Sequence, residues 1–397
     1  MGSMASKSTW GKEGGPVRST PDARGRGRGY PALDGLRGLA AIIVVYYHVT
    51  GVATGFQGGI FGHGYLAVDL FFALSGFVLF HAYDDRFRRG LSVGTFLRLR
   101  LIRLYPLYAV GLLIGLAANM LILLIDPPQA MTGGRLLSSI ATGLVLLPSL
   151  PPTGDLFPLN GPCWTLMLEL MANILMAILW RRIGVRSMVV LCATLAVILT
   201  VYGTAHGDVA AGDKWNSLLF GLVRCALSFS IGILVRLLSG GRATGPAPGN
   251  VMVGLLCLSL AALLIWSPPA QYAALYDLGF ILVASPLFIL LGSRITPSGP
   301  TARLCTLSGG TSYALYVTHC PMIGVVLLWS YTTGTLVYRD HLLLFASGYT
   351  LVFAALAYGL DRLYDVPVRR WLGRQQGRTA SKASPASPPV PDHGRAA

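Results

Sequence analysis

Charge is what this sequence has least of. Only 12% of its 397 residues are Asp, Glu, Lys or Arg, and the acidic ones number 16, where an ordinary soluble domain carries about a quarter charged residues. A soluble chain of this size would lack the polar surface to cover itself. Cysteine is scarce too. Cys163, Cys192, Cys225, Cys257, Cys305 and Cys320 stand singly, with neither metal-ligand spacing nor a disulfide framework. His, Asp and Glu show no metal-site spacing either, so no metal is expected. The missing Walker and dinucleotide glycine patterns exclude ATP and NAD chemistry of those kinds, and Ser75 has no Gly-x-Ser-x-Gly elbow around it. No internal repeat is visible, which weakens a small-molecule transporter as the alternative class. No signal-peptide pattern opens the sequence.

What is present is apolar length. Hydrophobic residues make up 53% of the chain, in runs near the ~20 residues that a helix needs to cross a bilayer core. The expected spans are 33–52, 64–83, 104–125, 163–180, 187–203, 215–235, 250–267, 271–292, 312–331 and 342–361. A further stretch, 136–147, is too short to cross and suits a re-entrant or interfacial helix. The expected fold is therefore an all-α polytopic membrane protein of about ten transmembrane helices. With ten spans, 26 Lys and Arg fall on one side and three (Arg135, Lys214, Arg339) on the other. The positive-inside rule then puts both termini in the cytoplasm of a cell with this protein in its inner membrane. The net charge of +15 is read as topology, so the lipid bilayer is a partner and nucleic acid is not. Residues 1–29 and 373–397 read as disordered cytoplasmic tails around one transmembrane domain, 30–372.

Ionisable residues inside spans are costly and are candidates for function. Arg37 and His48 lie eleven positions apart in the first span, within roughly 20° of one helical face and about 16 Å apart in depth. Asp69 and Glu169 fall at the depth of His48, and either could fix its imidazole tautomer, as orienting acids do in hydrolytic sites. Arg98, Arg100 and Arg103 precede Tyr105-Pro106 at the mouth of the third span, where guanidinium groups suit phosphate. His319 stands mid-span, two residues before a helix-loosening Pro321. His81 and Asp277 are also intramembrane and are read as packing residues.

These stretches have a family likeness. Leu33 to Ala41 with His48, Val68 to Phe77, the Phe96/Arg100/Arg103/Tyr105-Pro106 run, Trp164 to Glu169 and Ser312-Tyr313 to His319 resemble the acyltransferase-3 family. Its members are integral membrane O-acyltransferases that move acyl groups, commonly acetyl, onto carbohydrate and some secondary-metabolite hydroxyls. Two departures are visible: Glu169 is followed by Leu170 rather than a second acid, and the closing Glu-x-Pro reads Asp365-Val366-Pro367. The resemblance implies acyl-CoA, commonly acetyl-CoA, as a cytoplasmic co-substrate, with no bound cofactor. It places CoA at Arg100, Arg103, Tyr105 and Ser75, with the pantetheine arm beside Arg37. His48 would be the general base, Asp69 or Glu169 its orienting acid, and His319, Trp164 and Tyr313 would contact the acceptor. That acceptor is expected to be a surface polysaccharide, lipopolysaccharide or lipid-linked glycan, with a macrolide-type metabolite as the alternative.

Overall fold

The computed structural model describes residues 29–56, 61–125, 128, 130–152, 154–239, 249–334 and 340–383, without the side chains of 331 and 375–383. The two expected tails thus lie outside the described residues, except for Gly29 and the stretch from 373 to Ala383, which is helical. Among the described residues the chain forms helices joined by turns, with no strand beyond one isolated bridge between Asp155 and Lys214. The first seven helices are α1 (Pro31–Thr54), α2 (Ala67–Arg88), α3 (Val93–Ile125), α4 (Gly133–Leu144), α5 (Cys163–Leu179), α6 (Val185–His206) and α7 (Leu218–Leu238). After them come α8 (Gly249–Ile265), α9 (Ala273–Gly279), α10 (Ser285–Arg294), α11 (Gly299–Thr318), α12 (Cys320–Thr332), α13 (Leu342–Leu360) and α14 (Val366–Ala383). Single π turns, Phe280–Ala284 and Asp361–Asp365, join α9 to α10 and α13 to α14.

Eight of these helices, taken with their adjoining turns, are long and apolar enough to cross a membrane. A ninth span results if α11 and α12, bent by 56°, are counted as one. All ten expected segments fall on helices, but 250–267 becomes α8, whose 17 residues reach about 26 Å at 1.5 Å per residue, short of a ~30 Å core. The short stretch expected at 136–147 is α4, 12 residues long. The 84–103 segment, which the expected spans leave as a connection between the second and third, is largely helical, since α2 runs to Arg88 and α3 begins at Val93. Leucine and arginine are strong helix formers, and no Gly or Pro interrupts Thr95 to Tyr105. Arg98, Arg100 and Arg103 therefore occupy fixed positions on a helix.

α1, α2 and α7 lie at the centre of the bundle. The apolar stretches of their spans are 56%, 67% and 56% buried, against 22% for α6, which lies at the periphery. α1 carries Arg37 and His48. Two glycine contacts set how closely its neighbours approach. A Cβ on Gly38 would stand 2.5 Å from Ser308 of α11, and one on Gly309 would stand 2.5 Å from Asp34 of α1. A second close crossing joins α2 and α7, where a Cβ on Gly76 would meet the Phe229 carbonyl oxygen at 2.0 Å. Small residues at such crossings let backbones touch, as is common in membrane bundles.

The bend between α11 and α12 has a covalent cause. Pro321 has no N–H to give to the carbonyl of Val317, four residues back. That carbonyl accepts Nδ2–H of Asn160 instead, at 2.8 Å. The carbonyl of His319, at the break itself, accepts the hydroxyl of Tyr349. The bend turns the fully buried His319 ring inward.

Candidate functional site

α1, α2, α3, α5 and α11 enclose a cavity of about 630 Å³. Its wall carries three guanidinium groups, Arg37, Arg100 and Arg103, and two carboxylates, Asp34 and Glu169. Arg37 donates from Nη2 to Asp34 Oδ1 (3.0 Å) and to the Gly309 carbonyl (2.7 Å), and from Nε to Ser312 Oγ (3.2 Å). Ser75 donates to Glu169 Oε1 at 2.6 Å, and Arg100 Nη2 reaches the same oxygen only at 3.5 Å. The Nε of Arg100 is buried with no hydrogen-bond partner among the described residues. Arg103 lies 3.6 Å from Asp365, a carboxylate that Arg369 approaches more closely, at 2.5 Å. Tyr313 lines the wall with its hydroxyl on the Leu104 carbonyl at 2.7 Å. Tyr30 and His81, ring centroids 5.2 Å apart, belong to the same wall.

Further along α1, His48 meets His319. His319 Nδ1 lies 3.0 Å from the Leu315 carbonyl, and His48 Nδ1 lies 2.9 Å from that of Val44. A carbonyl oxygen only accepts, so each Nδ1 carries the hydrogen and each Nε2 keeps its lone pair. His319 Nε2 then faces His48 Nδ1 at 3.2 Å and shares its hydrogen. His48 Nε2 has no hydrogen-bond partner among the described residues. The result is an imidazole held in one tautomer with an open basic nitrogen. Both Arg37 and His48 meet the same stretch of chain, Arg37 at Gly309 and Ser312 of α11 and His48 at His319 just past its end.

His48, His319 and Cys320 also bring ligand atoms within 4.8 Å of one another, a set with the chemistry to hold a soft divalent metal ion. Sequence spacing had no access to this grouping, since His48 and His319 are 271 positions apart. Coordination through His48 Nδ1 requires giving up the bond to Val44.

Several expected placements are corrected. Asp69 does not touch His48. It is completely buried and takes Nε–H and Nη2–H of Arg224, with Ser228 Oγ donating at 3.1 Å. Equal depth put Asp69 level with His48, but its helical phase turns it toward α7. Glu169 likewise meets Ser75 and Arg100 on the cavity wall, not the histidine. Trp164 packs edge-on to Phe72 at 6.4 Å and lies close over Gly212, away from the cavity lining. Tyr105 is 39% exposed and gives its hydroxyl to the carbonyl of Leu144 at the end of α4, so it braces that short helix. Arg224 was legible as an intramembrane cation, and the cost of leaving one unpaired was the signal that a buried acid must meet it. Asp277, read as a packing residue, accepts from the Tyr65 hydroxyl (2.7 Å) and the Val209 amide (3.1 Å).

Comparison with known proteins identifies the family. Residues 30–361 match the family model described as an acyltransferase domain. A relative from Streptomyces mycarofaciens, named acyltransferase MdmB, is 30% identical over 332 residues, covering 74% of this chain and 79% of that protein. Another from Rhizobium radiobacter, named protein 2 in the picA locus, is 40% identical over 181 residues, covering 43% of this chain and 92% of that protein. No solved structure matches the chain. With the family match running from α1 through α13, this multi-pass membrane protein belongs to the acyltransferase-3 family.

Proposed function

We propose that the protein takes an acyl group, acetyl in the simplest case, from acyl-CoA at the cytoplasmic face and transfers it to a carbohydrate hydroxyl. One observation carries this reading: His48 presents an Nε2 with no hydrogen-bond partner among the described residues, while His319 and Val44 hold its Nδ1–H. The arginines of the cavity wall supply the other half. Arg100 and Arg103 would hold CoA phosphates through charge-assisted hydrogen bonds, and the pantetheine arm would run beside Arg37 toward His48. As the acceptor oxygen attacks the thioester carbonyl, its proton passes to His48 Nε2. The tetrahedral centre then collapses with C–S cleavage, and the departing CoA sulfur takes the proton back from the imidazolium. His319 acts by position. Its Nε2 accepts a stronger bond from Nδ1–H once His48 is cationic, which stabilises the charged form when it is needed.

The test is turnover and donor binding with purified protein in detergent. Wild type is expected to consume acyl-CoA when supplied with an acceptor, and a polysaccharide fragment, a lipid-linked glycan and a macrolide, offered separately, identify the acceptor class. His48→Gln is expected to lose roughly 10²–10⁴ in rate with donor affinity unchanged, and a variant keeping more than about a tenth of the rate would remove His48 from the role of base. Orientation has its own check. A cysteine at position 88 is expected to react with an impermeant thiol reagent only after permeabilisation, and labelling in intact cells would put the arginine cavity on the other face.

A further inference from the structure

The cavity and the histidine pair do not meet. Val68, Phe71, Thr165 and Tyr316 belong to the cavity wall, and neither His48 nor His319 does. Tyr316 stands between the two. Its ring is edge-on to Phe71, with centroids 5.7 Å apart, and its centroid is 6.1 Å from that of the His319 ring. Its hydroxyl lies 2.8 Å from Thr165 Oγ1. Thr165 gives its own hydrogen to the Pro162 carbonyl at 2.9 Å, so in the bond between the two hydroxyls Tyr316 donates. The same hydroxyl also lies 3.4 Å from the Pro162 carbonyl, so one short neutral hydrogen bond and one long one hold an otherwise apolar ring between the donor cavity and the histidine pair.

We propose that Tyr316 is a gate between the donor cavity and the His48–His319 pair, and that the space behind it limits the acyl chain the enzyme transfers. The proposal rests on the reading of the cavity as the acyl-CoA site. A thioester entering from the arginine end meets the Phe71–Tyr316 wall before it meets His48. To react, the acyl carbon must pass the ring, which requires the hydroxyl to leave Thr165 and the ring to swing. A two-carbon acyl group then needs little room between Tyr316 and the histidines. Each further methylene must displace the ring more or stay behind it, so the discrimination falls on chain length and not on the CoA moiety, which the arginines hold at the other end.

The experiment compares acetyl-, butyryl- and hexanoyl-CoA on wild type, Tyr316→Leu and Tyr316→Phe, with donor affinity measured by calorimetry beside kcat/KM. Tyr316→Leu shortens the wall and is expected to raise the butyryl-to-acetyl ratio of kcat/KM at least tenfold, about the effect of one or two methylenes in an apolar pocket. Tyr316→Phe keeps the ring and loses only the latch, so its ratio is expected to rise by about two- to tenfold, the worth of one neutral hydrogen bond. Acetyl-CoA affinity is expected to match wild type in both. Unchanged ratios in variants that still bind acetyl-CoA overturn the gate and leave the donor reading standing. If wild type itself binds no acyl-CoA, the donor reading fails and takes the gate with it. The Phe variant alters one atom and serves if Tyr316→Leu does not fold.

Discussion

Asp69 and Arg224 are at most 2% exposed, and every hydrogen-bonding group they bring into the bundle is met: Arg224 Nη1 reaches the Ala211 carbonyl at 3.0 Å, and Ser228 completes the carboxylate. Arg100 and Glu169 are 13% and 20% exposed, meet at 3.5 Å, and leave Arg100 Nε without a partner among the described residues. Both pairs put opposite charges inside a membrane bundle. The first pair is closed, with a partner inside the protein for each guanidinium nitrogen and each carboxylate oxygen, and it ties α2 to α7. The second is half-met and faces a cavity, so its cations keep hydrogen-bonding capacity for an anion. An intramembrane charge is thus a weak indicator of function by itself; the state of its partners separates the two cases.

The sharpest test of that difference is to break each pair. Arg224→Ala leaves Asp69 charged and unpaired in a dry interior, a change that costs about 3–5 kcal/mol when a buried pair loses one partner. The expected result is a much lower unfolding temperature in detergent, or loss of folded protein from the membrane. Arg100→Ala is expected to leave the unfolding midpoint close to wild type. Equal destabilisation by the two would erase the distinction, because the cavity pair would then be structural as well.

The sequence already contained much of this, and its failures have a common cause. The Arg37–His48 register survives because it depends on one helix, whose 3.6-residue period is fixed by local geometry. Pro321 marked the break near His319 for the same local reason. Asp69 was misjudged because matching depth says nothing about which way a side chain points, and its partner lies on α7, 155 positions away. Tyr105 and Trp164 sit inside family-like stretches, yet the structure gives them to α4 and to the Gly212 loop, contacts that only tertiary packing creates. The basic stretch before Tyr105 fell between the expected spans, since charge counting registers side of membrane and is blind to helix phase. Tyr316 lies in the family-like stretch from Ser312 to His319, but nothing in the sequence set it apart from its neighbours there. A tyrosine in an apolar span reads as core until the cavity it closes is visible.

A second prediction weighs the cavity cations by ligand binding. Charge-assisted Arg–phosphate contacts contribute about 1.5–3 kcal/mol each, or roughly ten- to 150-fold in affinity. Arg103→Ala is therefore expected to weaken donor binding by that range in calorimetry. Arg103→Lys should restore only part of it, since a point charge cannot reproduce the planar fork. If Arg103→Lys equals wild type while Arg103→Ala changes abundance alone, Arg103 signals topology and does not bind the donor. Asp365 and Arg369 beside it give that outcome a structural route, because the ion pair of those two stands without Arg103.

The smallest effect concerns Ser75, and it probes how the half-met pair is tuned. Its hydroxyl donates to Glu169 Oε1 at 2.6 Å, the same oxygen that Arg100 approaches at 3.5 Å. Ser75 thereby satisfies part of the carboxylate and keeps it from drawing Arg100 fully into an internal ion pair. Removing the hydroxyl frees that oxygen, so Arg100 is expected to close on Glu169 and to be less available to an anion. A single such hydrogen bond is worth about 0.5–1.5 kcal/mol, so Ser75→Ala should weaken donor affinity two- to tenfold with little change in unfolding temperature. Glu169→Gln tests the same mechanism with the opposite sign. It removes the competing negative charge while keeping the shape, and should tighten donor binding. If both substitutions weaken binding equally, Glu169 touches the donor itself and does not merely restrain Arg100. If Ser75→Ala instead lowers the unfolding temperature as Arg224→Ala does, the cavity wall is as closed as the buried pair, and its charges are not held open for a ligand.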